Sequence, residues 1–121
     1  MGSVKILGGK FEAQNSGSIV YNEGSTLISA GSFVARIKDG QSGACVYAFS
    51  GVTGIDCSQD CTIYMDAKLS GNALYVTGNA VLNIGSGYYQ SEDNHCVFVD
   101  NASANVPSVT ISGGEFVSNT H

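Results

Sequence analysis

The amino-acid sequence predicts an all-β protein, a right-handed parallel β-solenoid of about four short coils. Three observations support this fold class. An octapeptide pattern recurs along the chain, a second apolar segment with an aromatic residue recurs at a similar spacing, and the polar residues are mostly Gly, Ser, Asn and Thr rather than charged. A short unit repeated at 20 to 30 residues is typical of a solenoid, and a surface poor in Glu, Lys and Arg disfavours helices.

The octapeptide pattern is V-x-I-x-G-G-x-F. It occurs in residues 4–11 and 109–116, and degenerate copies occupy residues 26–33 and 82–89. The interval from Thr26 to Leu82 is long enough for two periods, so a further copy is expected between them. Residues 61–67 are the predicted position of that copy.

The second series consists of short apolar segments that contain Tyr21, Tyr47, Tyr75 and Phe98, separated by 26, 28 and 23 residues. Two independent series with a similar period favour stacked coils. An antiparallel sandwich would also give short strands, but it does not account for the recurring octapeptide. The right-handed sense is expected from the general preference of parallel crossovers.

Within the octapeptide, alternation places positions 1 and 3 on one face of a strand and position 2 on the other. Ile6, Ile84 and Ile111 are therefore predicted to face the core, whereas Asn83 and Thr110 face solvent. The glycine pair permits a sharp corner. The aromatic residue after the corner is predicted to return to the core, with Phe11 and Phe33 in one stack.

The length of 121 residues fits one domain. We interpret residues 1–3 as an addition from expression and residues 4–121 as a single solenoid domain, a fragment of a longer repeat protein. The first and last octapeptides are good copies, and neither is preceded or followed by a polar cap. The chain is therefore expected to self-associate through its solenoid ends.

The net charge of −5, with ten acidic and five basic residues, disfavours a nucleic-acid partner. A neutral glycan or a protein surface remains open as a partner. No apolar run reaches the roughly 18 residues of a membrane span, so no membrane insertion is expected. The sequence contains no motif that calls for a cofactor.

The recurring octapeptide and the alternating A-L-Y-V-type strand resemble the right-handed parallel β-helix, the pectate-lyase-like fold, over nearly the whole chain. More narrowly, they are similar to the repeats of bacterial cell-surface and adhesin proteins. The resemblance implies an extracellular or cell-surface location and a bacterial or phage source. It implies an architecture and leaves the activity open.

Four residues are weak candidates for catalysis. Asp56, Asp60 and Asp66 could supply the paired carboxylates that glycoside hydrolysis needs, and His95 could act as a general base beside carboxylates. The favoured interpretation is that all four side chains are solvated on loops and have no catalytic role.

Cys57 and Cys61 lie in an irregular stretch outside the repeat, and a disulfide that closes this short loop is the preferred interpretation. Free thiols remain an alternative. A metal site would need further ligands such as Cys96, but the apolar run around Cys96 predicts that it faces the core. No metal site is therefore predicted.

The sequence thus favours a non-catalytic structural or adhesive module of a secreted or surface protein. The alternative is a carbohydrate-active enzyme, lyase- or hydrolase-like, or a glycan-binding β-helix.

Overall fold

The computed structural model describes residues 3–15, 17–38, 43–56, 62–69, 71–92, 95–100 and 106–118. These residues form strands without any helix, which confirms the all-β prediction. In chain order the strands are β1 (Ser3–Asn15), β2 (Gly17–Asn22), β3 (Ser25–Ile37), β4 (Gly43–Ala48), β5 (Val52–Ile55), β6 (Ile63–Leu69), β7 (Asn72–Val76), β8 (Val81–Ile84), β9 (Tyr88–Ser91), β10 (Val97–Val99), β11 (Ser108–Ile111) and β12 (Glu115–Ser118).

All strand pairs within the described residues are parallel. One sheet has the order β11-β8-β5-β3-β6-β9-β12, with β1 also paired to β3, and the other has the order β10-β7-β4-β2. The chain alternates between the two sheets along its length. The predicted parallel pairing is therefore confirmed.

The pairing of β1 with β3 shifts register between Ile6 and Lys10, and the strand pairs of the larger sheet fall into two series on either side of this shift. The first ladder contains the start of β1, the start of β3, then β5, β8 and β11, and it aligns Ile6, Ile28, Ile55, Ile84 and Ile111. The second ladder contains the ends of β1 and β3, then β6, β9 and β12, and it aligns Phe11, Phe33, Met65, Tyr89 and Phe116. The smaller sheet is the third ladder.

The predicted position of the missing octapeptide copy is wrong. Thr26 pairs with Thr53, and Thr53 pairs with Leu82, so the copy begins at Thr53 and not near residue 61. Phe33 pairs with Met65, so residues inserted between β5 and β6 divide this copy at its corner. A contiguous pattern search cannot find a copy that an insertion splits.

The link between the corner glycine and the aromatic residue has a steric cause. Gly31 has φ +137°, and a Cβ placed on it would lie 3.0 Å from the ring of Phe33. The ring thus folds over the α-carbon two residues earlier, where only glycine leaves room. In the divided copy Ile63 occupies the glycine position and Met65 replaces the ring, so both parts of the contact change together.

Both sheets contribute to one core. The buried side chains include Ile28, Ile55 and Ile84 of the first ladder, Phe33 and Tyr89 of the second, and Val46, Leu74 and Val76 of the third. The outward positions predicted for Asn83 and Thr110 are confirmed, since both are exposed. The predicted stack is also present, because the rings of Phe11 and Phe33 lie 4.9 Å apart.

Candidate functional site

The two ends of the ladders expose apolar residues whose equivalents in the middle are buried. Ile111 is 50% exposed and Val4 is 53% exposed, whereas Ile84 is 1% exposed. Ile111 pairs with Ile84 on one side only, because β11 is the last strand of the first ladder. The exposure therefore comes from the position of the strand at the edge and not from a reversed register.

The end formed by β10, β11 and β12 also carries an open cavity of about 440 Å³. Its walls are His95, Cys96, Val97, Ile111, Phe116 and Ser118. His95, one of the four catalytic candidates, thus lies at this end of the molecule, with its ring 5.3 Å from that of Phe98. Asp56 and Asp66 do not line the cavity beside this histidine.

A second cavity, of about 260 Å³, lies on the outer face of the first ladder. Its floor and walls include Leu27, Gly54, Asn83 and Thr110, the outward residues of four neighbouring strands. Asp56 forms part of the rim and accepts a hydrogen bond from Ser86 Oγ at 3.3 Å. Gly54 has no side chain between Leu27 and Asn83, and this gap forms the depression.

Asp66 lies in the middle of β6 and is buried, contrary to the expectation of a solvated loop residue. Its Oδ2 accepts a hydrogen bond from Tyr64 Oη at 2.9 Å and lies 2.9 Å from Lys68 Nζ. Its Oδ1 has no hydrogen-bond partner. Alternation brings the three side chains to one face of the strand, and a local ion pair is the role that this contact supports.

The tyrosines that contact carboxylates are unsuited to act as bases at neutral pH. Burial, the hydrogen bond to Asp66 and the negative charge of that carboxylate raise the pKa of Tyr64 to about 12. The hydrogen bond to Asp100, together with burial, raises the pKa of Tyr75 to about 12. Both phenols therefore act as hydrogen-bond donors.

The structure does not bring the predicted catalytic residues together at one site. Asp56 follows β5 at the outer cavity, Asp66 is buried within β6, and His95 lies at the end cavity. Asp60 lies outside the described residues. In the described ranges no group of three or more His, Cys, Asp or Glu side chains could hold a metal ion.

The cysteines divide into two groups. Cys45 and Cys96 are free and buried, as the apolar runs around them predict. The Cys45 thiol lies 3.4 Å from the carbonyl oxygen of Phe33, and burial raises its pKa to about 12. The Cys96 thiol donates to the carbonyl oxygen of Val117 at 3.0 Å. Cys57 and Cys61 lie outside the described residues, so their disulfide stays a prediction.

Sequence reasoning placed Asn83 and Thr110 on the outer face, but it did not predict the outer cavity or the contribution of Leu27 and Gly54 to it. The signal that could have found them is the outward position of each octapeptide copy. Gly54 enters that series only when the divided copy is placed at Thr53 rather than at residue 61.

Comparison with known proteins gives no match, whether with family models, curated proteins or solved structures. Within the described ranges, the structure also has no helix of the length and apolar character needed to cross a membrane.

Proposed function

We propose that the chain is a right-handed parallel β-solenoid that serves as a non-catalytic structural or adhesive module of a secreted or cell-surface protein. The alternation of the chain between two parallel sheets supports the coiled path, and parallel crossovers are right-handed in nearly all proteins. The dispersal of the acidic and histidine candidates supports the non-catalytic role. The low charge and the Gly-, Ser- and Asn-rich surface favour the extracellular setting.

In this proposal the module associates through its ends, with β11 and β12 of one copy stacked on β1 of the next. The half-exposed Ile111 is the observation that carries this step, because its buried equivalent Ile84 differs only in having a strand on both sides. A second copy would supply the missing strand. Ile6 would then lie above Ile111, and Phe11 above Phe116.

One row of outward side chains also has opposite charges at its two ends. The row contains Lys10, Ser32, Tyr64, Tyr88 and Glu115, each paired with the next. Strands are about 4.8 Å apart. Stacking in register therefore brings Glu115 of one copy beside Lys10 of the next, and this contact favours a head-to-tail arrangement over a two-fold one.

Charge reversal at these two positions tests the arrangement. Light scattering across a concentration series at low salt measures association of the wild-type chain, K10E, E115K, an equimolar mixture of both variants, and the double variant. Each single variant should require an about fivefold higher concentration to associate, since like charges then meet. The mixture and the double variant should recover, because opposite charges meet again.

Circular dichroism provides the control for folding, and both substituted residues are exposed. A wild-type chain that stays at 12.5 kDa at high concentration would refute the end association. Association that K10E weakens and E115K leaves unchanged would refute the head-to-tail arrangement.

The outer cavity favours a second candidate function, binding of a neutral glycan. Leu27 and Gly54 provide an apolar floor of monosaccharide size, while Asp56, Asn83 and Thr110 provide acceptors and donors for hydroxyl groups. A small set of polar groups on an apolar surface is typical of a small-molecule site.

A larger side chain at position 54, which would fill the cavity, tests this candidate function. A Cβ on Gly54 would meet Leu27 Cδ1 at 3.5 Å, an ordinary contact, so Gly54→Val should fold. Ser25→Val is the matched control, because it adds valine to an exposed position of the same sheet outside the cavity.

Saturation-transfer NMR with glucose, galactose, mannose and N-acetylglucosamine provides the readout. Binding to the wild-type chain and to Ser25→Val, with none to Gly54→Val, supports the site. Equal signals from all three proteins, or no signal from the wild-type chain, would exclude it.

A further inference from the structure

The outer cavity is built from two rows of residues on the first ladder. Its first row holds the outward residues described above, from Leu27 to Thr110. Its second row is Asp56, Gly85 and Ser112, which follow the ends of β5, β8 and β11 and continue the parallel pairing through backbone hydrogen bonds. Asp56 and Gly85 are therefore direct neighbours across the ladder.

The missing side chain of Gly85 makes room for the carboxylate of Asp56. A Cβ placed on Gly85 would lie 2.8 Å from both Cγ and Oδ1 of Asp56, closer than Cβ contacts in real proteins. Ser86 Oγ donates a hydrogen bond to the same Oδ1 at 3.3 Å. The carboxylate thus lies across the α-carbon of Gly85, in the wall of the cavity.

This carboxylate is not balanced by a cation. Among the described residues that line the cavity, Asp56 alone is charged, and it forms no ion pair with a described residue. Lys5 belongs to the same outward row because it pairs with Leu27, but it lies two strands from Gly54 and outside the cavity wall. The cavity therefore combines an apolar floor with one unbalanced negative charge.

We propose that the outer cavity prefers a sugar with a protonated amine, a hexosamine whose amino group is not acetylated, over a neutral sugar. The proposal rests on the outer cavity as a glycan site and names the class of sugar that this site prefers. The ammonium group pairs with the carboxylate of Asp56. The ring lies on Leu27 and Gly54, and its hydroxyl groups exchange hydrogen bonds with the side chains of Asn83 and Thr110.

The expected preference is modest, because Asp56 is exposed and solvent screens an exposed ion pair. At low salt the amino sugar should bind about three- to fivefold more tightly than the neutral sugar. Added salt should reduce this preference, since it screens charges at the surface. A small amine without a ring should bind more weakly than the amino sugar, because it lacks the contacts with the floor.

Titrations of the ¹⁵N-labelled chain test the proposal, with the backbone amide signals of Gly54, Asn83 and Gly85 as the readout. The ligands are glucosamine, glucose, N-acetylglucosamine and ethanolamine, at low salt and at a mildly acidic pH that keeps the amines protonated. Glucose and N-acetylglucosamine supply the ring without the charge, and ethanolamine supplies the charge without the ring.

Two variants separate the charge from its position. Asp56→Asn removes the charge, whereas Gly85→Ala keeps it and displaces the carboxylate from the cavity wall. Gly85→Ala should fold, because Gly85 has no positive φ and the added Cβ meets the end of a flexible side chain. Glu23→Gln is the control, since it removes one exposed negative charge outside the cavity. Circular dichroism checks the fold of each variant.

The wild-type chain and Glu23→Gln should prefer glucosamine, and Asp56→Asn and Gly85→Ala should bind glucosamine and glucose about equally. If the wild-type chain binds the neutral sugars and glucosamine equally, the amine preference is wrong and the glycan site stands. If it binds no sugar, both fail. Ethanolamine that binds as tightly as glucosamine, or a preference that persists in Asp56→Asn or Gly85→Ala, would also overturn the proposal.

Discussion

Two isoleucines at equivalent positions provide a comparison of a buried site with an end site in the same molecule. Ile84 and Ile111 occupy the third octapeptide position of neighbouring strands and pair with each other. Ile84 is 1% exposed and Ile111 is 50% exposed. Substitution of each by alanine removes the same atoms, so the difference in stability reports the difference in burial.

Truncation of a fully buried isoleucine to alanine costs about 2 to 5 kcal/mol, part of which comes from the cavity left behind. Ile84→Ala should therefore destabilise the fold by about 3 to 4 kcal/mol. About half of the Ile111 surface is shielded from water in the fold, and truncation of this side chain leaves no closed cavity. Ile111→Ala should therefore cost about 1 to 2 kcal/mol.

Urea unfolding of dilute protein, followed by circular dichroism, measures both values. In the proposed end-to-end association a second copy covers the wild-type end at high concentration, so Ile111→Ala should become more costly as protein concentration rises. Ile84→Ala should show the same loss, relative to wild type, at every concentration. Equal losses for the two variants in dilute protein would mean that Ile111 is covered within a single chain, and the open-end account would fail.

Three further predictions concern local contacts. Gly31→Ala should destabilise the fold by about 1 to 3 kcal/mol, because Gly31 has φ +137° and the added Cβ would contact the ring of Phe33. Gly54→Ala is the control and should change the free energy of unfolding by less than about 1 kcal/mol. The raised pKa of Tyr75 should cause a loss of stability as pH increases from the ordinary tyrosine value of 10 towards about 12, and absorbance titration with unfolding curves in this range measures the loss. Under oxidising conditions, mass spectrometry of the unfolded, alkylated chain should count two modified thiols, because the predicted disulfide between Cys57 and Cys61 leaves only Cys45 and Cys96 to react; four modified thiols would exclude that disulfide.

Much of the fold could be predicted because equivalent positions of successive repeat copies pair with each other in the sheets. The steric contact between a corner glycine and the following ring produces the octapeptide, and the Tyr and Phe series marks the third ladder. The divided copy could not be placed by pattern alone. Ile63 and Met65 replace the glycine and the ring, so the corner loses both of its markers at once.

The candidate sites were less accessible to sequence reasoning. Asp66 was expected on a solvated loop, whereas its strand has Tyr64 and Lys68 on the same face, and these enclose the carboxylate. The outer cavity includes Gly54, which joins the outward row only after Thr53 is assigned to its row.

The isoleucine row of the first ladder offers the most direct test of the account. Ile6, Ile28, Ile55, Ile84 and Ile111 follow one another in register. In a sample with labelled isoleucine δ1-methyl groups, nuclear Overhauser contacts should link each residue to its neighbours only, and high concentration should add an intermolecular contact from Ile111 to Ile6. A direct contact between Ile28 and Ile84 without Ile55 between them, or a concentrated sample that associates without the Ile111–Ile6 contact, would contradict the stacked head-to-tail arrangement.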